Sequence, residues 1–187
     1  MEDDGMLHGW LLLADGFEVT EALGTLDLLR RTHQIDVKTV SISGEKTVLS
    51  SCGVSVLADC TMKEIDPKDG DFLILPGGKV GVDNLGANKV VRSMALDYFQ
   101  KGKGVFAICA APSILGELGI LDGKKYTCFP GFQRGNGTYI DTGAVRDGNV
   151  ITGHSMAYSL DFGSEIIVYL LGEEALKRIE PGTKGIA

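Results

Sequence analysis

Apolar residues run through this chain in short unbroken stretches, and between those stretches they return every three or four positions. Residues 9–14 (GWLLLA), 36–42 (DVKTVSI), 71–75 (DFLIL), 104–108 (GVFAI) and 150–152 (VIT) read as strands. Most lack polar alternation, as strands buried on both faces do. Residues 18–31 put Val19, Ala22, Leu23, Leu26 and Leu29 on one helical face. Residues 87–101 do the same with Val90, Val91, Met94, Tyr98 and Phe99, and Gly102 closes that helix. Another helix opens at Pro112, a residue favoured in a first turn, and stops near Gly119. Residues 157–171 give a long apolar helix, and TVLSS and VSVLA on either side of Cys52-Gly53 form a small β excursion.

Strands spaced by helices predict an α/β fold, a mostly parallel sheet covered on both faces. No repeat or low-complexity linker interrupts the 187 residues, so residues 1–187 are expected to form one domain with a core of its own.

Charge narrows the choice of partners. Eighteen Lys and Arg against 25 Asp and Glu give a net charge of −7, and no basic cluster stands out. This argues against a nucleic acid or an anionic membrane as the main partner. The acidic opening MEDDGML lacks the basic start of a secretory signal, and WLLLA is too short for its apolar core. The four cysteines (Cys52, Cys60, Cys109, Cys128) form no C-x-x-C pair and read as reduced thiols of a cytoplasmic protein. Neither they nor the three histidines show metal-ligand spacing, so no metal or cofactor is expected.

In an open α/β sheet, ligands sit beyond the carboxyl ends of the strands. The residues that follow each strand therefore outline a candidate site. After the first strand come Asp15, Gly16, Glu18 and Glu21; after DFLIL come Pro76, Gly77 and Gly78; after GVFAI comes Cys109; after VIT come Gly153 and His154. A residue at a sharp strand-to-helix turn is held in a strained conformation that pushes its side chain out over the sheet, and that turn needs small neighbours. Cys109, followed by Ala110-Ala111-Pro112, fits this nucleophile elbow. The helix N-terminus behind it is expected to lower the thiol pKa, and the amides of Gly78 and Ala110 are placed to hold a developing oxyanion.

Each candidate also has an ordinary reading. A free cysteine is often a small buried hydrophobe, and that account suits Cys52, Cys60 and Cys128, the last in YTCFPGF close to the site. For Cys109 the elbow and the Pro-Gly-Gly turn favour chemistry. Glu18 and Glu21 are acids in a first helical turn, where the dipole welcomes them. If Glu21 reaches Cys109, the two acids cannot both ionise cheaply and one proton stays, on Glu21. His154 is either a general base or substrate partner, or the cap of a turn; His8 and His33 read as surface residues.

LLLADGFEVTEALGTLDLLRR, LILPGGKVGVDNL and FAICAAPSILGELGIL together resemble the ThiJ/PfpI superfamily, in its branch around the parkinsonism-associated deglycase. The resemblance runs from the first strand to the late helix YSLDFGSEIIVYLLG. It implies a flavodoxin-like three-layer sandwich, a homodimer, a reactive cysteine at Cys109, a protonated glutamate at Glu21 and an oxyanion-type glycine at Gly78. Glu18 and Gly77 would support these groups. It implies a thiol that attacks small α-oxoaldehydes such as methylglyoxal in a glyoxalase or deglycase reaction, or one that senses an oxidant by forming a sulfinic acid. Two positions depart from the pattern. Ala110 stands where the protease-like branch has histidine, which argues against a peptidase. Phe129 stands where the parkinsonism-associated member has a histidine, so that base is missing and His154 is the one available nearby.

Overall fold

The five apolar runs come together side by side in a single sheet. The computed structural model describes residues 5–186, so Met1 to Asp4 of the acidic opening, and Ala187, lie outside the described residues. The first run is β1 (Leu7–Leu13), and the amphipathic stretch after it is α1 (Val19–Arg30). β2 (Ile35–Ser41) follows, then the excursion, which is an antiparallel hairpin of β3 (Thr47–Leu49) and β4 (Ser55–Leu57), and then the two-residue β5 (Cys60–Thr61). The central strand β6 (Phe72–Leu75) leads into α2 (Lys79–Ala87) and α3 (Lys89–Gln100). GVFAI is β7 (Gly104–Ile108), followed by α4 (Pro112–Glu117). Past the short β8 (Lys125–Tyr126) and β9 (Thr138–Tyr139), β10 (Ala144–Asp147) and β11 (Val150–Gly153) complete the strands. α5 (Ser159–Leu171) and α6 (Glu173–Lys184) close the chain.

The main sheet has the order β10-β11-β7-β6-β1-β2-β5, parallel throughout except for the antiparallel pair β10–β11. From β1 the chain builds outward through β2 to β5, and from β6 it builds the other way through β7 to β11. The loops after β1 and β6 therefore diverge and leave a crevice at the carboxyl edge.

Alternate residues of each strand feed two cores, one per face. Leu12, Leu73, Leu75 and Val105 pack under α2, α3 and α4 with Val82, Leu85, Val91, Met94 and Ile114. Leu11, Leu13, Phe72, Ile74 and Phe106 pack under α1, α5 and α6 with Ala22, Leu26, Leu29, Phe162 and Ile166. The result is the expected flavodoxin-like three-layer α/β arrangement.

The structure adds elements that the apolar pattern does not mark. α2 carries Gly81 and Gly86, and glycine costs a helix interior about 1 kcal/mol relative to alanine. A Cβ at Gly81 would come 2.7 Å from the Phe17 amide nitrogen, so close packing selects glycine there over propensity. α6 contains Pro181 and packs only a short stripe, Ala175, Leu176 and Ile179, on the core, too brief among its charged residues to mark a helix in the sequence. β8 and β9 are two residues each, too short for any period. Val90, expected to face inward on α3, is 44% exposed; Val91, Met94 and Tyr98 carry the buried face.

Candidate active site

Cys109 is the first residue after β7, and its backbone φ is +65°, a left-handed conformation that a residue with a Cβ adopts at a cost of order 1–3 kcal/mol. Backbone hydrogen bonds from three directions hold the turn there. The Cys109 amide donates to the Gly153 carbonyl at 2.9 Å, the Phe129 amide donates to the Cys109 carbonyl at 2.8 Å, and the Ala111 amide donates back to the Ile108 carbonyl at 3.1 Å. Ala110 and Ala111, at 2% and 0% exposure, fill the tight space under it. The elbow is thus fastened on one side by β11 and on the other by the loop after β8.

Glu21 sits in the first turn of α1 and is 1% exposed. Its Oε2 accepts the Gly77 amide at 2.8 Å. Oε1 is buried without a well-formed hydrogen bond, while the carboxyl and the Cys109 thiol are near enough to act on each other both as charges and as hydrogen-bond partners. Oε1, which accepts no hydrogen bond, is therefore the oxygen free to carry the proton.

Glycine is required beside this pair. A Cβ on Gly77 would stand 2.6 Å from the Cys109 Cβ and 3.1 Å from its sulfur, and would also run into Glu21 Oε2. Gly78 has φ +90°, and a Cβ there would lie 2.7 Å from the Glu18 amide nitrogen. Glu18 caps α1: its Oε2 accepts the Glu21 amide at 2.7 Å, and its own amide donates to the Gly77 carbonyl at 2.9 Å. Glu18 thus ties the helix to the Pro-Gly-Gly turn and adds a negative charge near Glu21.

The titration of the pair departs from the expectation of a depressed thiol. Burial, aided by the charge of Glu18, pushes the Glu21 carboxyl up to about 7 against the pull of the thiol and the Gly77 amide. Burial also pushes the Cys109 thiol up to about 12, followed by the charge of Glu21 and its hydrogen bond. The helix behind the thiol offers little against this burial: α4 is six residues long and begins three positions after Cys109, so its dipole is weak. What favours charge on the sulfur is the pair of amides from Gly78 and Ala110. Two of the three opposing influences on the thiol come from Glu21 itself. They lapse when Glu21 is protonated, because a carboxylic acid then donates to the sulfur instead of repelling it. The two groups titrate as one system whose first proton leaves near 7.

Of the residues expected at this edge, the structure brings Cys109, Glu21, Gly77, Gly78, Ala110 and Glu18 together. His154 stands next to Gly153 at the end of β11, but its ring is engaged elsewhere. Nε2 lies 3.4 Å from Asp141 Oδ1, Nδ1 lies 3.2 Å from Ser155 Oγ, and the ring meets Tyr158 edge-on. Asp15 belongs to the turn, its Oδ1 accepting the Leu49 amide at 2.9 Å. Cys128 is fully buried in the α4-side core, Cys60 is half-buried at the far strand and Cys52 is exposed in the β3–β4 turn. Sequence reasoning missed the grip of the Phe129 amide on the elbow, since nothing in an irregular loop announces where its backbone will bond.

Among the described residues no group of three or more His, Cys, Asp or Glu is arranged to hold a metal ion, and no helix is long and apolar enough to cross a membrane.

The model of the DJ-1/PfpI family matches residues 10–168. Protein dj-1beta of Drosophila melanogaster is 30% identical over 176 residues, covering 92% of this chain and 94% of that protein. A protein of Pyrococcus horikoshii named a deglycase is 30% identical over 146 residues, covering 75% of this chain and 86% of its own length. Among solved structures, Drosophila DJ-1beta superposes with a TM-score of 0.89 at 29% identity, covering 95% of this chain and 97% of that one. A DJ-1 superfamily protein from Salmonella typhimurium superposes with a TM-score of 0.87 at 34% identity, covering 94% and 97%.

Proposed function

This chain belongs to the DJ-1/PfpI family, and from that premise we propose that it is a cofactor-independent enzyme acting on reactive carbonyls. Its substrates are small α-oxoaldehydes such as methylglyoxal, converted to 2-hydroxy acids. The observation that carries the reading is the Cys109–Glu21 pair: a strained, half-buried thiol beside a buried carboxyl that holds its proton to about 7. A deglycase name among the relatives supports the same class of chemistry.

The reaction runs as a balanced sequence. With Glu21 protonated, the Cys109 thiolate adds to the aldehyde carbon, forming a C–S bond. The resulting oxyanion takes the Glu21 proton and becomes a hemithioacetal. Glu21, now a carboxylate, removes the hydrogen on that carbon and returns a proton to the neighbouring carbonyl carbon by way of an enediol, leaving a 2-hydroxy thioester. Water cleaves the thioester, and the hydroxy acid leaves as the thiol–acid pair is restored. The amides of Gly78 and Ala110 favour negative charge at the elbow throughout. His154, held by Asp141 and Ser155, is a candidate for orienting the product end of the substrate rather than for taking the first proton.

A second reading uses the same geometry. A carboxylic acid and two amides around one sulfur also suit a sulfinate, so Cys109 oxidation would make the site a sensor in an oxidative-stress response. Oxidant treatment followed by peptide mass measurement distinguishes the two: a sensor accumulates a stable two-oxygen adduct at Cys109 at oxidant levels that leave Cys52 unmodified. The enzymatic reading is tested by lactate formation from methylglyoxal with purified protein and a Cys109→Ser control. Absence of Cys109-dependent lactate removes it. The active unit is proposed to be a cytoplasmic homodimer, and light scattering that gives a stable 19.9 kDa species at high concentration would overturn that.

A further inference from the structure

The loop after β8 lies outside the ladder of the main sheet, yet it holds the carbonyl of the nucleophile. Its amides reach the main sheet at every second residue, the spacing of an extended strand. Lys125 donates to Asp147 Oδ2 at 2.9 Å, Thr127 donates to Thr152 Oγ1 at 2.9 Å, and Phe129 donates to the Cys109 carbonyl at 2.8 Å. Two side chains thus stand where a neighbouring strand would offer carbonyls. The backbone of Thr152 is fixed in β11 between Val145 of β10 and Ala107 of β7. The next residue, Gly153, accepts the Cys109 amide at 2.9 Å. A closed circuit results, from Cys109 through Gly153 and Thr152 to Thr127, then along Cys128 and Phe129 back to Cys109. Thr127 and Thr152 are buried, so the Thr127 amide depends on the Thr152 hydroxyl.

We propose that Thr152 is a positioning residue for the nucleophile: its hydroxyl holds the loop whose Phe129 amide keeps Cys109 in its left-handed turn. The Cys109 amide is secured by β11 itself, whereas its carbonyl is secured from the loop. At φ +65° the turn is strained, and it relaxes when a restraint weakens. The sulfur then moves relative to Glu21 and to the Gly78 and Ala110 amides that favour its charge. Thr152 acts through the backbone of the loop and not on the sulfur. The proposal rests on the carbonyl reading above only where turnover is measured.

Thr152→Val keeps the shape of the side chain and removes the acceptor, whereas Thr152→Ser keeps the acceptor and loses a methyl group. The readout is the rate at which iodoacetamide modifies Cys109 across pH, measured on the Cys109 peptide of folded protein. In Thr152→Val the rate at pH 7 should fall about fivefold and the profile should move to higher pH, because reactivity follows the thiolate fraction. Thr152→Ser should retain the wild-type profile. Asp147→Ala removes the bond to the Lys125 amide, the same kind of bond farther along the chain from the elbow, and should also leave the profile unchanged. With methylglyoxal, Thr152→Val should lose about tenfold in kcat with KM little altered. A wild-type profile in folded Thr152→Val, or an equal fall in Thr152→Ser or Asp147→Ala, overturns the proposal. If Thr152→Val does not fold, Thr152→Ala carries the same expectations. A shifted profile where even wild type turns over no methylglyoxal leaves the Thr152 clasp standing and removes the carbonyl reading.

Discussion

The Gly77 amide donates to Glu21 Oε2 at 2.8 Å, and in doing so it anchors the buried carboxyl that acts on the Cys109 thiol. A glycine from the turn after β6 thereby orients an acid from α1 toward a thiol at the end of β7. Three segments far apart in the chain meet because the strand order reverses between β1 and β6. The protonation state of the pair follows from this meeting, and so do the expectations below.

Between its ordinary value of 4.5 and about 7, folded Glu21 keeps a proton that the unfolded chain has released. Unfolding in that window releases a proton, so stability falls as pH rises through it. The penalty is absent below 4.5 and complete above 7, about 3 kcal/mol at most. Glu21→Gln does not ionise and lacks this dependence. In urea unfolding, the stability of Glu21→Gln relative to wild type should therefore rise by up to about 3 kcal/mol across the window. A difference that stays flat with pH would mean that Glu21 ionises at an ordinary value.

Gly77→Ala places a methyl group against both members of the pair. Overpacking of this kind costs about 1–3 kcal/mol, read as a lowered urea midpoint. Because the clash falls on Glu21 and Cys109, turnover should drop by about a hundredfold or more in protein that is still folded. An active Gly77→Ala enzyme would show that the pair is looser than its distances indicate.

The strain at Cys109 predicts an inversion of the usual cost of glycine. At φ +65° a Cβ is penalised, so Cys109→Gly should be more stable than Cys109→Ala by about 1 kcal/mol. Equal stability of the two variants would show that the elbow relaxes once the sulfur is removed.

How much of this was legible in the sequence varies by element. β7 was read to the residue, and β1, β2, β6 and β11 to within two, because unbroken apolar runs have few other uses in a chain this size. Five of the residues gathered at the carboxyl edge were named by the rule that ligands lie beyond strand ends and Ala110 by the elbow, while the same rule also named His154, whose ring is engaged by Asp141 and Ser155. What could not be read is the balance of charges: the sequence bounds α4 between Pro112 and Gly119, but only the structure shows that burial of the thiol outweighs the helix N-terminus. His154 gave no signal of its attachment to Asp141, which comes from an irregular segment with no period. α6 escaped because its apolar stripe is only Ala175, Leu176 and Ile179, and Pro181 interrupts the pattern.

The central claim is that Glu21 holds the proton which the Cys109 chemistry needs, and its most direct test is lactate formation from methylglyoxal across pH in wild type, Glu21→Gln and Glu18→Gln. Wild-type turnover should rise as the Cys109–Glu21 pair loses the first of its two protons, with an apparent pKa near 7, because the remaining proton is the one Glu21 passes to the substrate. Glu21→Gln should lose about 10²–10⁴ in kcat while Cys109 still reacts with iodoacetamide, since a donor remains but no proton can be passed. Glu18→Gln keeps a side-chain acceptor for the Glu21 amide and should stay within about tenfold of wild type. Glu21→Gln turning over methylglyoxal like wild type, or Glu18→Gln abolishing turnover, would contradict the account.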